Sequence, residues 1–160
     1  MFPLPETDTA LIPQDLQDRV SFRIRQLQIL AYKRFEKVIT DFGSAPRYYG
    51  MLKIIAANPG IAQIRLAEAI FLDRSSLVPI IETLTHEGWL VRKPAAEDRR
   101  VRRVYLTDEG LRRLSLLEVE VNRHEARMTK GLSPQSMATL REGLEQMAVN
   151  LTEQDQTTKD

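Results

Sequence analysis

Apolar residues recur near the start of the chain in alternating steps of four and three: Val20, Ile24, Leu27, Ala31, Phe35, Val38 and Phe42. That spacing keeps one helical face apolar and predicts a long helix over residues 16–42, ended by Gly43. Pro46 then suits the first turn of a helix, where its missing amide hydrogen costs nothing. That helix buries Tyr49, Leu52 and Ile55 and stops at Asn58-Pro59-Gly60. Residues 64–70 and 73–87 read as two helices joined by Phe71-Leu72-Asp73, with Gly88 ending the second. Residues 89–93 and 97–107 read as two strands about a turn at Pro94-Ala95-Ala96. Thr107-Asp108-Glu109 offers an N-cap and first-turn acids for a helix reaching about residue 130, broken by Gly131. Ser133-Pro134 caps a last helix carrying Met137, Leu140, Leu144, Met147 and Leu151.

These elements predict a mostly α fold with a minor β part. A winged helix-turn-helix over 45–106 sits inside one domain of residues 15–151, between long helices at 15–42 and 107–151. Residues 1–14, with Pro3, Pro5 and Pro13, read as an extended arm, and the polar tail 152–160 is expected to be disordered. The C-terminal seam offers more apolar surface than one small domain covers, so the terminal helices are expected to pair as a homodimer. Packing back onto its own chain is the alternative.

Charge changes the picture locally. The 160-residue chain has a net charge of +1. Yet Arg92, Lys93, Arg99, Arg100, Arg102 and Arg103 crowd into the expected wing against only Glu97 and Asp98. A basic hairpin on a near-neutral body suits double-stranded DNA. Without cysteine there is no disulfide, thiolate zinc site or thiol switch. His86 and His124 give no metal site, and no cofactor is expected. No nucleophile–base pair or phosphate loop points to an enzyme. Neither a signal peptide nor a membrane-spanning run is read, so a cytoplasmic protein is expected, with no membrane partner.

Five segments in order carry a resemblance: 60–68 (Gly60 to Glu68), 72–78 with Leu72-Asp73-Arg74-Ser75-Ser76, 84–92 with Glu87-Gly88-Trp89, then Asp98-Arg99-Arg100, and Leu106-Thr107-Asp108-Glu109-Gly110. Together they resemble the MarR family of bacterial transcription regulators over about residues 18–150. The resemblance implies a homodimer on a pseudo-palindromic operator, often released by a small phenolic or carboxylated ligand. Two departures stand out. Ala62 replaces the threonine that usually caps the first helix of the motif. Val78-Pro79 stands where members often carry Thr-Arg, so familiar base contacts do not transfer. Pro79 costs about 3 kcal/mol inside a helix; a late helix start at Ser75 or Ser76, or a mild kink, would accommodate it.

Candidate sites follow. Arg74, Ser75 and Ser76 fall at the groove-facing end of the recognition helix. Arg74 suits a guanine edge, worth about 1–3 kcal/mol; a phosphate contact, with the serines serving only as caps, is the other reading. Asp98 and Arg100 occupy the family's Asp-x-Arg positions, implying a minor-groove arginine braced by the aspartate. Arg99, Arg102 and Arg103 are phosphate candidates. Trp89 reads as the wing's hydrophobic anchor. In the family the effector cleft lies between the dimer helices and the winged unit. Here Arg19, Arg23, Lys33 and Lys37 are expected near one another on the first helix, with Tyr48 and Tyr49 opposite. That set suits an aromatic carboxylate or its coenzyme A thioester; a solvated helix face with two core tyrosines is the alternative. His124 lies on the stripe of Leu114, Leu117, Val121 and Met128 and reads as packed. A winged-helix protein-interaction module that does not bind DNA is the competing function.

Overall fold

In the computed structural model, which describes residues 11–94 and 102–157 (side chains excepted at Val38 and beyond Thr152), the expected long first helix is two. A short α1 (Gln14–Gln17) precedes α2 (Val20–Val38). Arg19, in extended backbone, separates them. Arg23 Nε donates to the Gln17 carbonyl at 2.7 Å, satisfying an acceptor that the break leaves open. The apolar stripe of α2 meets two fates. Phe35 is buried in the core, whereas Val20 and Leu27 are 58% and 53% exposed. Helix α2 also ends short of residue 42, and Gly43 turns the chain with φ +59°.

Pro46 lies in a 3-10 turn, Ala45–Tyr48, rather than in an α-helix. Helix α3 (Tyr49–Ala57) follows and buries Met51, Leu52 and Ile55, while Tyr49 is only half-buried. Next come β1 (Ile61–Ala62), α4 (Gln63–Ala69), α5 (Arg74–His86), β2 (Leu90–Pro94) and β3 (Arg102–Leu106). Among the described residues the sheet has three strands in the order β1-β3-β2, each pair antiparallel. The sequence reading found two of them. A two-residue strand has no alternation to read, and β1 shows itself only by pairing Ile61 with Val104. Ala62 caps α4 without a side-chain hydrogen bond, as its replacement of threonine implied.

Helix α5 buries Leu77, Ile81 and Leu84 and begins at Arg74, with Asp73 as its N-cap. The late start is therefore not what the chain adopts, and Pro79 stands inside the helix. Pro79 is exposed, so its ring clears the core while denying the Ser75 carbonyl an i+4 donor.

Helix α6 (Asp108–Met128) is tied to the end of α5 through a corner at residues 87–89. Gly88, with φ +79°, reverses the chain, and the Trp89 amide donates to the Leu84 carbonyl at 2.9 Å. The indole is wholly buried, 6.3 Å from the Phe42 ring, with the Arg113 guanidinium 4.1 Å above it. Thr107 bridges the other side: its amide donates to the Trp89 carbonyl at 3.0 Å and its hydroxyl to the Gly88 carbonyl at 2.7 Å. The same hydroxyl accepts from the Gly110 amide at 2.8 Å, capping α6. Trp89 is thus the anchor expected of it.

The chain divides into two units at His124 and Glu125. In the first, His124 packs on Phe35 with ring centroids 5.0 Å apart. In the second, Ser133 caps α7 (Pro134–Thr157) by accepting from the Ser136 amide at 3.1 Å. Helix α7 runs through most of the tail expected to be disordered. Residues 152–157 are polar, but glutamate and glutamine are good helix formers and extend it at little cost. Leu140, Leu144 and Leu151 are exposed along it. Among the described residues no helix is long and apolar enough to cross a membrane.

A Cβ at Gly110 would stand 2.3 Å from the Trp89 carbonyl oxygen. Helix propensity alone favours alanine over glycine by about 1 kcal/mol. The contact reverses the sign: Gly110→Ala is expected to lose about 1–3 kcal/mol by overpacking. Urea denaturation of the two proteins measures it, and an unchanged or raised midpoint would contradict the packing described for this corner.

Candidate nucleic-acid interface and effector wall

The first turn of α5 is organised by one carboxylate. Asp73 accepts from the Ser76 amide at 2.8 Å, from the Ser76 hydroxyl at 2.7 Å, and from the Ser75 hydroxyl. These donors, the Ser75 hydroxyl foremost, hold its carboxyl well below the usual carboxylate range, so it stays anionic at neutral pH. Both serines are therefore engaged in capping. Each hydroxyl has a single hydrogen, already given to Asp73, and is left only lone pairs to offer outward. Arg74, between cap and serines, is exposed and makes no hydrogen bond or ion pair among the described residues.

The wing's cations are not equivalent. Arg102 is exposed and has no described partner. Arg103, next along β3, is half-buried and donates from Nη1 to the Gly60 carbonyl at 3.0 Å. The pleat explains the difference, since neighbouring side chains take opposite faces. Across the strand pair, Lys93 stands 5.2 Å over the Tyr105 ring, and Arg92 lies 3.7 Å from Glu82 of α5. Asp98, Arg99 and Arg100 lie outside the described residues.

The expected effector residues do not converge within the chain. Arg19 caps the start of α2 and Arg23 bonds to Gln17, whereas Lys33 and Lys37 lie in its last turns. Arg23 and Lys33 are about 15 Å apart along the axis by helical rise. The four cations are therefore two separate groups; their alternation along the sequence concealed the length between them. The tyrosines diverge as well. Tyr49 donates to Glu118 at 3.3 Å, and the Lys53 ammonium meets the same carboxylate at 2.7 Å. Burial, then the Glu118 charge, pushes the Tyr49 hydroxyl pKa up.

A different group, a candidate effector wall, lies beside Tyr48. The Arg47 Nε donates to the Tyr32 hydroxyl at 2.9 Å, with its guanidinium 4.8 Å from that ring's centroid, and Tyr32 in turn donates to Glu36. Burial and the Glu36 hydrogen bond raise the Tyr32 pKa. Tyr32 and Arg47 escaped the sequence reading because Tyr32 lies off the apolar stripe, and because Arg47 reaches it only through the 3-10 turn. That turn connects directly to the recognition helix. The Ser44 amide and hydroxyl both donate to the Glu87 carboxylate, at 3.1 and 3.0 Å, and Glu87 is the C-cap of α5.

Comparison with known proteins bears on the family and the fold. The MarR family model matches residues 48–101. The chain is 35% identical over 131 residues to the candidate transcriptional regulatory protein for the hcr operon of Thauera aromatica, covering 81% of this chain and 79% of that protein. Its fold is similar to that of the transcriptional repressor CouR bound to a 23-mer DNA duplex, with a TM-score of 0.77, 26% identity, and coverage of 84% of this chain and 96% of that one. It is also similar to the PcaV regulator from Streptomyces coelicolor in complex with its natural ligand, with a TM-score of 0.73, 26% identity, and coverage of 91% and 97%. With its winged helix-turn-helix, its capped recognition helix and this relationship, the chain belongs to the MarR family of transcription regulators.

Proposed function

We propose that the protein is a homodimeric repressor that holds a pseudo-palindromic operator and releases it when a small anionic aromatic compound, or its coenzyme A thioester, binds. The observation that carries the reading is Arg74, exposed at the open end of α5 and without a partner among the described residues, together with the antiparallel strands bearing Arg102 and Lys93. A buried ion pair would have spent that charge on the fold; here it is free for a nucleic acid.

In this reading Arg74 pairs with a guanine edge in the major groove, and Arg102 and Lys93 take phosphates. Arg103 holds the base of the wing through Gly60 as well as adding to its charge. Ser75 and Ser76, with no hydrogen left to donate, suit the amino groups of adenine or cytosine and not phosphate oxygens. Asp98, Arg99 and Arg100 complete the wing, with Arg100 in the minor groove.

The effector would lie against Arg47, Tyr32 and Tyr48, where a guanidinium beside aromatic rings suits an aromatic anion. Arg19 and Arg23, distant within one chain, would serve only if the second protomer or an extended ligand brought them within reach. CouR, whose fold this chain shares, has also been solved with p-coumaroyl-CoA bound. A ligand that displaces the 3-10 turn must either break the Ser44 grip on Glu87 or shift the end of α5. The second outcome changes the separation of the two recognition helices, which must stay about 34–36 Å apart to enter successive major grooves.

Three measurements test the parts. The exposed leucines of α7 are assigned to the dimer interface, so Leu140→Asp with Leu144→Asp should dissociate or unfold the protein. A folded wild-type monomer at micromolar concentration in sedimentation velocity would remove that assignment.

On DNA, the two arginines should separate. Arg74→Ala is expected to lose about 1–3 kcal/mol on an operator fragment selected from genomic DNA by the purified protein and little on random duplex. Arg102→Ala should weaken both and lower the salt slope by about one phosphate contact per protomer. Equal losses on every sequence for Arg74→Ala would make it a phosphate ligand instead.

For the effector, a panel of aromatic carboxylates and their coenzyme A thioesters, p-coumaroyl-CoA included, should contain a member that lowers operator affinity. Arg47→Ala should weaken the response at least tenfold while leaving ligand-free DNA binding intact. Release by peroxide or a metal ion, with no effect from any member, would contradict the effector class.

A further inference from the structure

The turn between α4 and α5 contains a residue that folding alone does not explain. Helix α4 closes with paired bonds: the Phe71 amide donates to Glu68 at 3.2 Å and the Leu72 amide to Ala67 at 3.0 Å. This closure requires a left-handed residue after the last helical one, a place usually given to glycine. Here it is Phe71, with φ +55°, the one non-glycine residue at positive φ among those described. Its Cβ crowds the following carbonyl, a penalty that glycine does not meet. Burial returns nothing, since the side chain is 82% exposed, more than any other large apolar residue described.

Position identifies what the phenyl meets. Phe71 stands two residues before Asp73, the cap of α5, and three before Arg74. In a helix-turn-helix the recognition helix enters the major groove by this end, so the turn travels with it to the groove edge. The polar surroundings of Phe71 are spent elsewhere: Ser75 and Ser76 on Asp73, and Arg65 on Glu68 at 3.1 Å. Beyond Arg74 and the serine lone pairs, what the turn itself has to offer DNA at Phe71 is apolar surface. The apolar feature that a major-groove edge presents is the thymine C5-methyl group.

We propose that Phe71 is a specificity residue that packs its phenyl on a thymine methyl beside the base met by Arg74. The inference rests on the DNA-binding reading above. It explains why a strained, solvent-facing phenylalanine occupies a glycine position.

The test pairs protein variants with modified DNA. Phe71→Gly and Phe71→Asn both suit left-handed backbone and remove the phenyl, so both should melt at or above the wild-type temperature while binding the operator more weakly. Replacing thymine by uracil, one position at a time, removes single methyl groups. At one position per half-site, uracil should cost wild type about fourfold in affinity, the worth of one buried methyl, and cost neither variant anything. Unchanged operator affinity in both variants, with Arg74→Ala still losing its preference, would overturn the proposal and leave DNA binding standing. So would a uracil effect that persists in the variants, or a change in sedimentation with DNA affinity unaltered, which would place the phenyl against a second copy of the chain. Failure of the wild type to bind any duplex at low salt would instead end the DNA reading itself.

Discussion

The corner at Glu87, Gly88 and Trp89 is the constraint on which the remaining geometry depends. Three residues there fix four elements. The Glu87 carboxylate grips the loop that follows α2, and its carbonyl accepts from Arg113 of α6 at 3.1 Å. The Trp89 indole fills the centre of the core between Phe42 and Arg113, and its backbone pairs with Leu84 behind and Thr107 ahead. The indole N–H gains no acceptor among the described residues. A buried, unmet donor costs about 1–3 kcal/mol. Burying so large a ring offsets that, at the upper end of what one side chain contributes. The corner is therefore held by packing and backbone bonds, with little room for added atoms, as the approach of Gly110 to Trp89 indicates.

Recognition helix α5 inherits an asymmetry from this corner. Its C-terminal end is clamped, and its middle is sunk in the core through Leu77, Ile81 and Leu84. The exposed residues of its N-terminal turn, Arg74 to Ser76, are organised by Asp73. Such a turn would fray if uncapped, and the more so because Pro79 withholds one amide from it. A single carboxylate with three donors compensates locally. The arrangement keeps Arg74 projecting from an ordered turn without tying its side chain to any described residue.

The architecture was legible because it is written in periodicity. Steps of four and three located α2 and α7, and Gly43, Gly88 and Gly131 marked real turns, each with positive φ. Legibility failed where structure depends on partners distant in sequence or on short elements. Strand β1 is two residues long, and the break at Arg19 falls just before the apolar stripe begins at Val20, where no glycine or proline marks it. At the candidate site, Arg74 could be placed from its offset after the motif's turn. The tyrosine–arginine wall could not, because Tyr32 and Arg47 meet across a turn whose geometry Gly43 and Pro46 set. Proximity in sequence misled in the opposite direction for Tyr48 and Tyr49: adjacent residues at a junction between a 3-10 turn and an α-helix point to different neighbours, Arg47 for one and Glu118 for the other.

Magnitudes decide whether the link from that wall to α5 is strong enough to carry a signal. Coupling between effector and DNA in regulated proteins is typically about 1–3 kcal/mol. The Ser44–Glu87 contact comprises hydrogen bonds to a carboxylate, each worth about 1.5–3 kcal/mol when shielded and less when half-exposed, as here. The grip is thus of the same size as the coupling it would transmit. A much weaker contact would break before it moved the helix, and the loop would shift alone. A much stronger one is unnecessary, since the rest of α5 is anchored by its apolar face and only its tilt about the corner must change. The Gly43 position fits this role: a Cβ there would lie 2.8 Å from the Glu87 carboxylate, so glycine lets the acid approach the loop backbone closely enough to hold it.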